Sequence, residues 1–193
     1  MYIQLIRSTF AEKNMTTQRT STIWTLDPTH SEVQFKVKHL VISTVTGYFR
    51  KFDGSIQTYG DHFDGADVRF TVEVNSIDTN VPDRDAHLKS DDFFAADRFP
   101  QMVFEGKLKS VRDNLSQLHG QLTIRDFTKP VVLEVEYGGQ MVDFYGQTKV
   151  GFEVSGSINR KDYGLMWSAV TEAGGIVVAD DVKIHFNVQF VKK

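Results

Sequence analysis

The sequence predicts an all-β fold, an eight-stranded antiparallel up-and-down barrel with one short helical insert. Apolar and polar residues alternate with a period of two along eight segments, as in strands with one face in water. Short connections rich in Gly, Asp and Asn favour antiparallel neighbours. Glycines recur on the apolar faces, at Gly54, Gly106, Gly120 and Gly156. Such glycines indicate sharp coiling or room for another group, so we expect a closed barrel rather than two packed sheets.

The eight predicted strands are defined by their apolar faces. In chain order these faces are Val33, Phe35, Val37 and His39; Phe52, Gly54 and Ile56; Val68, Phe70, Val72 and Val74; Met102, Phe104 and Gly106; Leu118, Gly120, Leu122 and Ile124; Val131, Leu133, Val135 and Tyr137; Val150, Phe152, Val154, Gly156 and Ile158; and Ile184, Phe186, Val188 and Phe190. A barrel of eight strands encloses room for side chains or for one small ligand.

A helical insert separates the third predicted strand from the fourth. Val81-Pro82-Asp83 is typical of a helix start, and we expect two turns over 83–90 and a third over 91–96. A second short turn or helix is a candidate over 163–167.

The first 22 residues differ from the rest. They are Thr-rich towards their end and predict a flexible leader, 1–22, before a single domain, 23–193; translation from Met1 and from Met15 both stay open. The pattern of a secretory signal is not present, so we expect a cytoplasmic protein.

Composition excludes several classes of function. There are 22 Lys and Arg against 25 Asp and Glu, a formal net charge of −3, which argues against a nucleic-acid partner. The chain has no Cys, which excludes disulfides, thiolate zinc sites and a cysteine nucleophile. The sequence signatures of serine hydrolases, zinc proteases and nucleotide-binding loops are also missing.

Four motifs, in this order, resemble one known family. They are Trp24-Thr25-Leu26-Asp27-Pro28-Thr29-His30-Ser31; Arg84-Asp85-x-His87-Leu88-Lys89-Ser90-x-Asp92-Phe93-Phe94 followed by Phe99-Pro100; Gly120-x-Leu122-Thr123-Ile124-x-x-x-Thr128-Lys129-Pro130-Val131; and Ile158-Asn159-Arg160-x-Asp162-Tyr163-Gly164. Over residues 23–191 the chain is similar to the YceI-like family of bacterial polyisoprenoid-binding proteins. Many relatives resemble secreted proteins, which this chain does not.

The resemblance implies an extended lipocalin-like barrel without catalysis and without a cofactor. Its interior would hold a long isoprenoid tail, as in polyprenyl phosphate or a quinone such as ubiquinone, for storage, transfer or sequestration. A transient membrane contact and a homodimer through an aromatic mouth stay open.

An isoprenoid tail needs a long, narrow and dry site, which inward Phe and Val residues would supply. The candidates for ligand contact, including a lid from the insert, are Phe35, Val37, Phe70, Val72, Phe93, Phe94, Phe104, Leu122, Phe152, Val154, Trp167 and Phe186. The alternative is that these side chains fill a solid core.

A phosphate head group would need basic side chains at the rim. Arg84, Lys89 and Arg160 are the candidates, and the alternative is that they pair with local acids.

Two other functions compete with lipid binding. An acidic and histidine cluster in the insert (Asp83, Asp85, His87, Asp91 and Asp92) suggests a metal-dependent, hydrolase-like enzyme, although helix capping accounts for such residues too. The third hypothesis is a ligand-free, stress-related structural barrel.

Overall fold

The computed structural model describes residues 20–40, 42–169 and 177–193, and their fold is all-β with one short α-helix. The strands are β1 (Ser21–Leu26), β2 (Glu32–His39), β3 (Ser43–Phe49), β4 (Phe52–Tyr59), β5 (Asp67–Glu73), β6 (Ile77–Asp78), β7 (Gln101–Arg112), β8 (Leu115–Ile124), β9 (Phe127–Val142), β10 (Thr148–Asn159) and β11 (Val178–Lys192), and the helix is α1 (Pro82–Lys89). Short 3-10 helices span Pro28–His30, Val74–Ser76 and Arg160–Tyr163.

The strands form a closed antiparallel barrel. β1, β4, β5, β7, β8, β9, β10 and β11 are hydrogen-bonded in that order, and β11 pairs with β1 to close the ring. Leu26 faces Phe190 at this closing pair. The prediction of an eight-stranded antiparallel barrel is confirmed.

Three barrel strands are interrupted, which explains why eleven segments make eight strands. β1 and β2 are two parts of one barrel strand, and β2 pairs with β11. In the same way β3 leads into β4 and pairs with β2, and β6 follows β5 and pairs with β3. β1 and β3 were not among the predicted strands. In β3 the inward positions are Val45, Gly47 and Phe49, so a glycine interrupts the apolar alternation. β1 also begins at Ser21, two residues before the predicted domain start.

The helical segments differ in part from the prediction. α1 covers the first two expected turns, but the third turn over 91–96 is not helical, because Ser90 is extended and its carbonyl accepts the N–H groups of Phe93 and Ala95. The short helix expected over 163–167 lies instead at Arg160–Tyr163. The Asn159 side chain accepts the Lys161 N–H there, and Gly164, at φ +72°, ends the helix.

The barrel therefore has two distinct ends. The insert end carries α1, residues 90–100 and the β8–β9 turn, and the far end carries the β4–β5 loop and the β9–β10 turn. Within the described ranges, no helix combines the length and apolar character needed to cross a bilayer.

Candidate functional site

The far end of the barrel is closed by aromatic side chains. The β4–β5 loop folds Phe63 inward, where its ring centroid lies 5.2 Å from those of both Trp24 and Phe152 and 6.1 Å from that of Tyr137. Ala66 of the same loop is 1% exposed. Close packing of this kind leaves no path for a ligand at the far end.

The insert covers the other end. Leu88 of α1 and the following Phe93 and Phe94 face the interior. Phe94 packs edge-on against Phe49 of β3, with ring centroids 6.1 Å apart. These contacts place the insert where the sequence predicted a lid.

Polar contacts fix the start of the insert. The N–H and hydroxyl of buried Thr79 both donate to Oδ1 of Asp85, at 2.9 and 2.5 Å. Arg84 donates from Nε to the Thr79 hydroxyl and from Nη2 to the Thr79 carbonyl, both at 2.7 Å. The first turn of α1 is thus tied to the end of β6, while Leu88, Phe93 and Phe94 further along the insert pack on the barrel interior.

Between the two ends lies a cavity of about 200 Å³. Residues from all eight barrel strands line it, and among the described wall residues only Gln34 and Arg160 are polar. On β11 the wall includes both Val182 and Phe190. Eight residues of strand span roughly 27 Å, or roughly 20 Å along the axis at a usual strand tilt. The cavity is therefore elongated and apolar.

Most of the predicted ligand contacts lie in this wall. It contains Phe35, Val37, Phe70, Val72, Phe93, Phe94, Phe104, Leu122, Phe152, Val154 and Phe186. Trp167 lies outside it, because its ring packs against Phe93 and His87 at centroid distances of 5.3 and 5.0 Å. Trp167 thus packs against the insert and is not part of the described cavity wall.

Several wall residues were not among the predicted ligand contacts. They include Phe49, Ile56, Leu88, Leu108, Leu118, Leu133, Val135, Leu165, Val188 and Phe190. Ile56, Leu118, Leu133, Val135, Val188 and Phe190 were already on the predicted apolar faces and were only not named as ligand contacts. Leu108 continues the period-two phase of a predicted strand, whereas Phe49 lies on β3, which was not predicted. Leu88 and Leu165 belong to the insert and to the loop after β10, where no strand phase applies.

The glycines on the apolar faces were expected to coil the strands or to leave room for another group. Neighbouring side chains occupy that room, and at Gly106 and Gly120 the backbone of the paired strand also approaches closely. A Cβ atom would lie 2.7 Å from Phe70 at Gly54, 2.7 and 2.4 Å from Phe104 at Gly106 and Gly120, and 2.6 Å from Leu133 at Gly156. The glycines thus widen the cavity indirectly, by keeping these side chains out of its centre.

Arg160 is a structural clamp. It is 4% exposed, and a guanidinium has five N–H donors. These five donors reach the carbonyls of Ala179 (3.0 Å), Leu165 (2.5 Å), Trp167 (2.8 Å) and Val178 (3.4 Å) and the carboxylate of Asp180 (3.1 Å). Its acid partner is Asp180, which is 20 residues away in the chain and not one of the local acids that were expected. No donor of Arg160 is left for the head group that was expected there.

Tyr163 sits in the same turn. It is 2% exposed. Burial, with the nearby charge of Asp162, raises the pKa of the Tyr163 phenol to about 12. The phenol therefore stays protonated at neutral pH.

Unlike Arg160, the other two head-group candidates are not part of the cavity wall. Arg84 is engaged by Thr79, and Lys89 is half-buried at the end of α1. The three basic residues do not converge on one point.

The acidic and histidine cluster of the insert is divided among separate partners. Asp85 accepts from Thr79, Asp92 pairs with His87 at 3.0 Å, and Asp91 pairs with Arg98 at 3.0 Å. Within the described residues, no three His, Asp or Glu side chains come together as a metal site would need.

The chain is similar to a known domain family and to bacterial proteins of similar length. The YceI-like domain family matches residues 24–190. The UPF0312 protein SERP2314 of Staphylococcus epidermidis is 38% identical over 172 residues, which is 88% of this chain and 97% of that protein. The UPF0312 protein SA2479 of Staphylococcus aureus is 36% identical over 170 residues, with the same coverage.

Solved structures share the fold. The YCEI protein of Campylobacter jejuni is 30% identical, with a TM-score of 0.68 over 81% of this chain and 90% of that one. BcnA of Burkholderia cenocepacia is 21% identical, with a TM-score of 0.72 over 85% and 98%. A polyisoprenoid-binding domain from Saccharophagus degradans, implicated in plant cell wall breakdown, is 17% identical, with a TM-score of 0.65 over 88% and 98%.

Proposed function

Because the chain belongs to the family of YceI-like domains, we propose that it is a non-catalytic binding protein for the apolar tail of an isoprenoid lipid, such as polyprenyl phosphate or a quinone. The observation that carries the proposal is the elongated apolar cavity inside the barrel. The ligand class is supported by the domain of the same fold from Saccharophagus degradans, whose name gives polyisoprenoid as its ligand.

The cavity wall suits a chain that makes no hydrogen bonds. A polar group in the wall without a hydrogen-bond partner would weaken the binding of an apolar ligand, because the ligand would remove that group from water. The amide of Gln34 donates to the Tyr48 hydroxyl at 3.0 Å, and the five donors of Arg160 are engaged. Each buried CH₂ contributes about 0.8 kcal/mol, part of which ordering of the chain offsets.

The volume sets a scale for the tail. A dry apolar cavity of roughly 150 Å³ accommodates a benzene-sized guest. An isoprene unit is of similar size, so a cavity of about 200 Å³ takes about one or two units as it stands. A longer tail requires rings in the cavity, such as Phe70 and Phe186, to turn aside.

The head group lies outside the cavity in this proposal. The three basic candidates do not form a common site, and Arg160 has no donor to offer. Recognition therefore depends on the tail, and the charge of the head group contributes little. The cytoplasmic location and the choice between storage, transfer and sequestration stay predictions.

Two measurements test the proposal. Native mass spectrometry of the purified protein should reveal a bound prenyl compound. Titration calorimetry with geraniol, farnesol and geranylgeraniol, which have two, three and four isoprene units, should show an affinity gain of at least about tenfold on the first extension. The third unit buries further CH₂ groups once rings such as Phe70 and Phe186 have turned aside. Farnesol and farnesyl phosphate should bind within about threefold of one another, because the head group is outside.

Variants on one strand provide the control. Phe186 stacks on Phe70 inside the cavity, with ring centroids 5.8 Å apart, whereas Asn187 is exposed on the outer face. Phe186→Trp should abolish uptake of farnesol, and Asn187→Trp should leave it unchanged. Absence of uptake by the unmodified protein would favour a ligand-free structural barrel, and a strong preference for farnesyl phosphate would place the head group in a site of its own.

A further inference from the structure

The turn between β9 and β10 carries an exposed apolar surface at the far end. Phe144 and Tyr145 are 105% and 90% exposed, and Met141 and Val142 are 61% and 62% exposed. We call these four residues the tip. An exposed apolar cluster of this kind, unlike single exposed residues, marks a site of interaction.

The tip projects from the barrel. The pairing of β8 with β9 ends where Leu115 faces Glu136. Beyond that point, in the described part of the sheet, β9 pairs with β10 alone, from Gly139 opposite Gly151 to Val142 opposite Thr148. The hairpin therefore extends past its neighbour and presents a convex surface.

Asp143 holds the tip in shape. Its Oδ1 accepts the N–H groups of Tyr145 and Gln147, each at 2.9 Å, and its Oδ2 lies 3.1 Å from Nζ of Lys149. The hydrogen bond from the Gln147 N–H, together with Lys149, lowers the pKa of Asp143. Both charged side chains are less than one fifth exposed. The aromatic side chains are thus directed outward by a fixed turn, and its only charged group is paired.

We propose that the tip docks the protein on the surface of a lipid bilayer. A bilayer accepts a convex apolar surface without a matching pocket, and aromatic side chains favour its interface. Residues 140–147 contain one charged residue, Asp143, and it is paired with Lys149. Docking therefore relies on apolar insertion and depends little on anionic lipid or on salt.

The shape argues against a second copy of the chain as the partner. A stable protein interface buries roughly 800 Å² on each side and involves about 20 residues per partner. The tip offers four side chains on a projecting turn, which is too few for such an interface. The same four side chains suffice for a reversible membrane contact.

The docking site is independent of the cavity. β9 runs from the insert end at Phe127 to the tip end at Val142. Docking through the tip consequently leaves α1 and residues 90–100 clear of the bilayer. Failure of docking would leave the proposed lipid-tail site untouched, and the reverse also holds.

Vesicle flotation of the full chain tests the inference. The protein should float with phosphatidylcholine vesicles, with little change when phosphatidylglycerol is added or when salt is raised. The double variant Phe144→Ser/Tyr145→Ser should partition at least about tenfold less. The matched control is Val132→Ser, also on β9 and 52% exposed but away from the tip, and it should partition like the unmodified protein.

A second variant reports the contact directly. Phe144→Trp should show a blue-shifted emission with vesicles and quenching by brominated lipid. Circular dichroism should show that each variant is folded, because the substituted side chains are exposed. Failure of the unmodified protein to float, unchanged flotation of the double variant, or a dimer in sedimentation that the double variant abolishes would each overturn the proposal.

Discussion

Phe70 lies across Gly54 inside the barrel, and Cδ2 of its ring is 2.7 Å from the position that a Cβ atom on Gly54 would take. The ring also stacks between Phe52 and Phe186, with centroid distances of 6.0 and 5.8 Å. Because Gly54 has no side chain, the barrel wall leaves space for the Phe70 ring and thereby for a stack of three rings, two of which line the cavity.

Gly54→Ala should reduce the capacity of the cavity. The added methyl would push the Phe70 ring towards the centre, because Cβ contacts below 3.0 Å are not tolerated. We expect weaker farnesol binding in titration calorimetry, with a loss of stability of about 1–3 kcal/mol from overpacking.

The control is Gly151→Ala. A Cβ atom there would meet nothing within 4 Å. It should change neither binding nor stability appreciably. Equal farnesol affinity for both variants would show that the ring does not limit the cavity.

Arg160→Lys should destabilise the fold. Lysine has three donors at one point and cannot reach carbonyls that surround a planar guanidinium. We expect the free energy of unfolding to fall by about 2–4 kcal/mol in urea titrations, because buried carbonyls lose their donors.

The matched variant is Arg98→Lys. Arg98 is 57% exposed and pairs with Asp91. Its effect should stay within about 0.5 kcal/mol. A stable Arg160→Lys protein that loses affinity for farnesyl phosphate but not for farnesol would instead give Arg160 a role at the head group.

Asp27→Asn should weaken the protein at neutral pH more than in acid. Burial raises the pKa of Asp27, but hydrogen bonds from Thr29 and His30 lower it by more. The net effect is a pKa of about 2, compared with the ordinary value of 3.8. Because the folded pKa is lower than the unfolded one, this stabilisation is present above about pH 4 and is lost as the pH falls towards 2.

The expected loss at pH 7 is on the order of 1–2 kcal/mol, measured by urea unfolding across pH. The difference between Asp27→Asn and the unmodified protein should shrink below pH 4. Asp97→Asn, at an exposed position, serves as the control. A difference that stays constant from pH 7 to pH 2 would contradict a role for the Asp27 charge.

The alternation of apolar residues was sufficient to predict the barrel strands and most of the cavity wall. Phe104, Phe152 and Phe186 lie where their phase places them, because successive side chains of a strand point to opposite faces. β3 was not predicted because Gly47 stands where the alternation would have an apolar side chain. Its place on the wall is covered by the ring of Phe35 from the neighbouring strand, a contact that sequence spacing does not reveal.

By itself the sequence determined the faces of the strands, their number in the barrel and the apolar chemistry of its interior, because these follow from local periodicity. Only the tertiary structure decided which partners Arg160 has, where Trp167 packs and whether the interior is filled. Those outcomes depend on distances between residues far apart in the chain, such as Arg160 and Asp180, and on rings that occupy the space beside glycines.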